Sequence, residues 1–196
     1  MDTKLHYLLS NQHQIPENSL IDMMAISKKL SVKAKVQLLR PEQKHDRFWL
    51  VSRGMTRTYL QTFEDKELIL NFAKELDIIG DINACLNQTR TRLYIESIED
   101  CTLLEFSFAQ VSNKFQHESW WQKIISTYLQ KIYLEREEHL ILLHHHSPKM
   151  RVMELYKTNR ALFRRVPQRH LANYLGMTDV SFSRIKKQLG ILNSHS

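Results

Sequence analysis

The chain has 196 residues, 42% hydrophobic and 25% charged, with only four Gly and four Pro. This composition fits one large or two small globular domains with a buried core, and it argues against disorder and flexible linkers. No apolar run approaches the roughly 20 residues that span a bilayer. The N-terminal MDTKLHYLLSNQHQ lacks the long apolar centre of a signal peptide, so a cytoplasmic protein with no membrane partner is expected.

The net charge of +7 is unevenly placed. Of 28 Lys/Arg and 21 Asp/Glu, residues 149–196 hold ten and two, a local balance of +8 against −1 for residues 1–148. A polyanion partner for the last quarter is the simplest explanation, and a solvated basic face is the alternative. Cys85 and Cys101 are too few for a disulfide framework or a four-cysteine iron–sulfur site and read as two buried thiols.

Residues 17–31 carry a helical apolar spacing through Ile21, Met24 and Ala25, with Leu20 and Leu30 nearby and Asn18 or Ser19 as the cap. From Ala34 to Ser107 the pattern changes. AKVQLLR, RFWLVSRG, MTRTYLQ, ELILNFA, DIIGDI, RLYIESI and CTLLEFS are short β-prone runs separated by charged or turn residues. They predict about seven strands in an antiparallel roll or barrel.

From Ser112 to His146 the helical period returns. Trp121, Ile125, Tyr128, Ile132 and Glu135 follow one stripe, which Ile124, Leu129 and Tyr133 broaden. So wide a stripe has to be buried, one side on the roll and the other against a second copy of the chain. A core helix of a monomer is the alternative. Ser147-Pro148 then signals a new helix, with Ser as cap and Pro in the first turn.

Three short helices are predicted after Pro148. The first is Lys149 to Thr158. The second opens at Pro167, with Leu171, Ala172, Tyr174 and Leu175 inward, and ends at Gly176. The third starts from Thr178 as cap and stops at Gly190, with Phe182, Ile185 and Leu189 as its buried edge. Small Ala172 lets two helices approach at a steep angle, and Gly176 tolerates the positive φ of the turn between them. Asp179, Val180, Ser181, Ser183, Arg184, Lys186, Lys187 and Gln188 are left outward. Short polar residues followed by a basic cluster suit a recognition helix in the major groove of DNA. A protein-binding three-helix bundle is the alternative, and RNA suits such a helix less well.

The order of roll, long helix and helix-turn-helix resembles the catabolite-activator/Fnr (Crp/Fnr) family of bacterial transcription factors, above all its Bacteroidetes-type members. Val166-Pro167, LANYLGMT at 171–178 and FSRIKKQ at 182–188 carry the likeness most specifically. The resemblance implies an α+β fold in three parts: a cyclic-nucleotide-binding-like antiparallel β-roll sensor at 1–111, a central dimerisation helix at 112–146 and a DNA-binding helix-turn-helix at 147–196. It also implies a homodimer on a near-palindromic double-stranded operator, with RNA polymerase as a further partner of an activator.

Carried over residue by residue, the family's recognition start falls on Thr178 and its early readers on Asp179, Val180 and Ser181. Arg184 takes the guanine-reading position. Lys186 and Lys187 are expected on phosphates, with Gln168 and Arg169 as further phosphate partners. The family's nucleotide cassette, Gly-Glu-Leu and then Arg-Ser/Thr, falls on Gly80-Asp81-Ile82 and on Thr91-Arg92, with Arg90 alongside. Asp81 is shorter than Glu, and a one-residue slip would send an Arg to the wrong face. The expected effector is therefore unknown and not a cyclic nucleotide.

No cofactor, metal or catalytic group is expected. Consecutive His144, His145 and His146 point in three directions on a helix, although their place before Pro148 leaves a pH-sensitive hinge open. A cupin-type enzyme would need His and Glu clustered on strands, and the roll holds only His45, in a loop. Only ILNSHS follows Gly190, so the β-hairpin wing common in the family is expected to be missing. The remaining alternative is a degenerate cyclic-nucleotide-binding-fold module serving as a protein-interaction scaffold.

Overall fold

The computed structural model describes residues 15–191. In chain order the elements are α1 Glu17–Ala25, β1 Lys28–Val32, β2 Gln37–Leu39, β3 Arg47–Arg53, β4 Thr56–Gln61, β5 Glu67–Ala73, β6 Ile78–Gly80, α2 Ile82–Asn87, β7 Tyr94–Ser97 and β8 Cys101–Ser107. Then follow α3 Phe108–Phe115, α4 Ser119–His145, α5 Pro148–Thr158, α6 Arg160–Arg165, α7 Gln168–Tyr174 and α8 Asp179–Gln188. Among the described residues no helix is long and apolar enough to cross a membrane.

The strands form two four-stranded sheets, ordered β1-β8-β3-β6 and β2-β7-β4-β5. Each of the seven predicted runs contains one strand. β3 explains why RFWLVSR is almost continuously apolar: it is buried on both faces. Trp49 and Val51 enter a core with Leu39, Ile79, Ile95 and Leu103. Phe48 and Leu50 point the other way, into a core with Phe106, Phe108, Trp120 and Trp121. Phe48 stacks on Phe106 at 5.1 Å between centroids, and Phe115 lies 4.9 Å from Trp120.

An eighth strand replaces the end of the first predicted helix. α1 stops at Ala25, and Lys28–Val32 pairs antiparallel with β8, from Lys28 opposite Glu105 to Val32 opposite Cys101. Leu30 and Val32 alternate with a period of two, and pairing with the open edge of β8 makes the segment a strand. The predicted Asn18 or Ser19 cap is also corrected: Pro16 occupies the cap position, and no side chain caps that end.

The predicted long helix is two helices, α3 and α4, separated at residues 116–118. Trp120, Trp121 and Ile124 are buried at the start of α4. Farther along, Leu129, Tyr133, Leu134, Leu140 and Ile141 are all exposed. After Ser147, whose side chain accepts from the Met150 amide as predicted, there are four helices rather than three. The extra one is α6, six residues around buried Leu162.

By contacts the described residues divide into two compact units, 15–58 with 72–131, and 59–71 with 132–191. Within the second unit, Asn173 of α7 binds the β5 backbone twice. Its amide nitrogen donates to the Glu67 carbonyl at 2.7 Å, and its oxygen accepts from the Ile69 amide at 2.8 Å. His139 of α4 lies against Tyr174, with centroids 4.0 Å apart. Burial, with Glu135 and Glu138 adding to it, pushes the Tyr174 phenol up to about 12.

Candidate nucleic-acid interface and sensor cassette

α7 and α8 are built by two matching helix stops. After α7 the Gly176 amide donates to the Asn173 carbonyl and the Met177 amide to the Ala172 carbonyl. After α8 the Gly190 amide donates to Lys187 and the Ile191 amide to Lys186. Both are Schellman stops, which need a left-handed residue at the glycine. Gly176 has φ +63° and Gly190 φ +66°. A Cβ at Gly176 would also lie 3.2 Å from Leu143 Cδ2 and 3.3 Å from an Arg151 Nη atom, so the turn closes against its surroundings as well.

Pro167 sets the start of α7, and Val166 before it is extended, as a pre-proline residue prefers. Thr178 caps α8, accepting from the Ser181 amide at 3.2 Å. Leu171, Ala172, Leu175 and Phe182 are buried between the helices. Phe163 of α6 stacks on Phe182 at 5.9 Å and meets Tyr156 of α5 edge-on at 5.1 Å. Ile185 and Leu189, predicted as buried edge, are half-buried.

The predicted DNA-contact residues separate into two groups. Arg169, Thr178, Asp179, Val180, Ser181, Arg184 and Lys187 are exposed. Lys186 is not, which corrects its predicted outward placement: only 7% of it is accessible, and its ammonium lies 5.8 Å over the Phe182 ring. Spacing gave the signal, because residue 186 is one helical turn from the core residue 182 and shares its face. Burial pushes the Lys186 ammonium down from the usual lysine range, and the Asp179 carboxylate works against that shift.

Half-buried Gln168 joins these side chains. Its amide nitrogen donates to Asp179 Oδ1 at 2.8 Å, and its oxygen accepts from Lys186 Nζ at 3.5 Å. Asp179, Gln168 and Lys186 therefore brace one flank of α8 against the start of α7. The outward stripe of α8 is Val180, Ser183, Arg184 and Lys187, all exposed and repeating at three- and four-residue spacing. Sequence reading missed this brace, since nothing local links residue 168 to residue 186.

In the first unit the cassette residues satisfy one another. Asp81 caps α2, its Oδ1 accepting from the Ala84 amide at 3.0 Å. Its Oδ2 accepts from the hydroxyl of fully buried Thr91 at 2.7 Å, and the same hydroxyl accepts from the Leu93 amide. Ile82 is buried. Arg90 and Arg92 on either side of Thr91 are exposed, and Arg90 donates to the Glu42 carbonyl. A Cβ on Gly80 would come within 3.1 Å of Phe48 Cβ.

Among the described residues of this unit, the buried arginine is one that the sequence does not single out. Arg57 of β4 pairs with Glu96 of β7 at 3.0 Å, with side chains only 5% and 15% exposed. Alternation along β4 placed residue 57 in the strand but gave no hint of its partner. A guanidinium already neutralised by a buried carboxylate is poorly suited to an anionic ligand as well.

Other chemistry is sparse. His45 lies in its predicted loop and stacks on Trp49, and burial holds its pKa below the usual histidine range. The half-buried Cys85 thiol donates to the His45 carbonyl, and burial pushes it up to about 11, which keeps it protonated. Cys101 is buried. His145 and His146 meet edge-on, and the His146 carbonyl accepts from Arg151. Among the described residues no group of three His, Cys, Asp or Glu side chains is placed to hold a metal ion. The predicted missing wing concerns residues that lie largely outside those described.

Residues 29–118 match the cyclic nucleotide-binding domain family. The chain is similar in structure to the c-di-GMP-responsive global regulator CLP of Xanthomonas campestris, at 17% identity and TM-score 0.74, covering 92% of this chain and 96% of that one. It is similar to FixK2 of Bradyrhizobium japonicum at 19% identity and TM-score 0.75, covering 87% and 89%. A regulator from Eubacterium rectale assigned to the Crp/Fnr family matches at 14% identity and TM-score 0.73, covering 95% and 88%. No curated protein sequence matches the chain.

Proposed function

We propose that the chain, whose residues 29–118 match the cyclic nucleotide-binding domain family and whose fold is similar to that of solved regulators, one of them assigned to the Crp/Fnr family, over about nine-tenths of its length, is a homodimeric, sequence-specific transcription regulator of the cytoplasm. Residues 1–111 serve as the sensor, 112–146 as the pairing helix and 147–196 as the DNA-binding part. α8 enters the major groove, and two copies reach successive grooves of a near-palindromic operator about one helical turn apart. If the regulator activates, RNA polymerase is its further partner. The role is one of binding, not catalysis.

The observation that carries this reading is the α8 surface. Its buried side is Phe182, one flank is braced by Gln168, Asp179 and Lys186, and the stripe left open presents Arg184 and Lys187. The segment that holds it has an excess of eight positive charges. Arg184 suits a bidentate contact to guanine O6 and N7. Lys187 and Arg169 suit phosphates.

Binding of the full chain to a selected duplex should weaken steeply as salt rises, since each phosphate contact releases counterions. Arg184→Ala should cost about 1–3 kcal/mol and relax preference at one base step, whereas Lys187→Ala should weaken all sequences alike and flatten the salt slope by about one unit. Fluorescence anisotropy across a salt series measures both. A chain with no salt-dependent duplex binding and no sequence preference would be a protein-interaction scaffold instead.

We further propose that the sensor does not use a cyclic nucleotide. The pairing of Asp81 with Thr91 and the outward Arg90 and Arg92 support this reading. Millimolar cAMP or cGMP should then leave the melting temperature unmoved. A ligand present at 100 times its Kd would add about 2.7 kcal/mol, so a rise of several degrees in a thermal melt would overturn this proposal.

A further inference from the structure

Val180 is the anomaly of the α8 surface. It is 69% exposed, at the second position of the helix, on a stripe otherwise made of Ser183, Arg184 and Lys187. Helix stability does not account for it, because a β-branched residue is a weaker helix former than Ala and an exposed one gains nothing from packing. Its neighbour Asp179, the residue able to accept from a cytosine amino group, already accepts from Gln168. An exposed position in the first turn of this helix therefore carries an apolar side chain that can make no hydrogen bond.

In the major groove the base-edge feature that an apolar side chain recognises is the 5-methyl group of thymine. Four residues of helix advance about 6 Å, and base pairs are stacked about 3.4 Å apart. Val180 and Arg184, one turn apart on the same stripe, thus address positions within about two base pairs of each other. Resting on the DNA-binding reading above, we infer that Val180 is a specificity-determining residue that reads a thymine methyl within two base pairs of the guanine read by Arg184.

The test uses the full chain and the consensus duplex recovered by in vitro selection. Each thymine of one half-site is replaced in turn by deoxyuridine, which removes the methyl and leaves every hydrogen-bonding group in place. One replacement, within two base pairs of the Arg184-dependent guanine, should weaken binding about fourfold, as expected for one buried methyl-sized group. Val180→Ala should bind thymine and deoxyuridine duplexes equally at that position while keeping the guanine preference. Salt-dependent, sequence-preferring binding with no Val180-dependent thymine effect overturns the methyl-reading role alone. Absence of salt-dependent duplex binding overturns the DNA-binding reading and this inference with it.

Discussion

Phe182→Ala is expected to cost about 3–5 kcal/mol of stability and to remove DNA binding without touching a single base-facing atom. Phe182 is wholly buried and stacked on Phe163, on the helix that packs against α7, whose Leu171 and Ala172 are buried too. Truncation removes a ring from the point where α6, α7 and α8 meet, and small, well-packed helices have little freedom to refill the space. A loss of that size is a large share of the roughly 5–15 kcal/mol that holds a typical domain together.

The three tryptophans make the loss assignable. Trp49, Trp120 and Trp121 all belong to the first compact unit, so their fluorescence reports on the roll and the start of α4. Circular dichroism at the helical band also reports α5 to α8. In urea titrations of Phe182→Ala the helical signal should therefore lose amplitude well before the tryptophan transition. A shift below about 1 kcal/mol, or two probes that move together by the full amount, would show that Phe182 does not anchor a separate recognition unit.

Elements whose signal is local were legible in the sequence. β3 and β8 are long apolar or alternating runs, and the Ser147-Pro148 start, the Thr178 cap and the two glycine stops are fixed by residues within five positions of one another. Features decided by distant partners were not legible. β1 is a strand because β8 has an edge for it, and five residues with only two apolar side chains are too few for their own period to announce it. α6 is too short for periodicity to announce it. Pairing of Arg57 with Glu96, and of Gln168 with both Asp179 and Lys186, joins residues far apart in the chain. Among the site residues, Arg184 and Lys187 face outward as expected, because the helical period alone sets their side. Lys186 was misplaced only because its charge was weighed above its spacing from Phe182.

The proposed pairing of two chains should fail in a variant carrying Leu129→Glu and Leu140→Glu. On α4, Leu129, Tyr133 and Leu140 are 41%, 65% and 56% exposed and occur at i, i+4 and i+11, the spacing of a coiled-coil seam. Arg136 stands at i+7 in the same seam, where a polar residue fixes register at some cost in stability. Leu134 and Ile141, one heptad apart and also exposed, widen one flank. Five large apolar side chains on one exposed helix exceed the scattered apolar residues of an ordinary monomer surface.

Because these positions are exposed within the chain, the double substitution should leave its fold intact and act on association. Light scattering at micromolar concentration is expected to give a dimer for the parent chain and a monomer for the variant. DNA affinity should fall by about 10²–10⁴, the advantage gained when a second binding event becomes intramolecular. A selected duplex containing one half-site should instead bind both proteins alike, since the recognition helix itself is unchanged. A monomeric parent chain would overturn the homodimer reading, and a variant that remains dimeric with full operator affinity would place the interface elsewhere; either result leaves the exposed face of α4 without the role assigned to it.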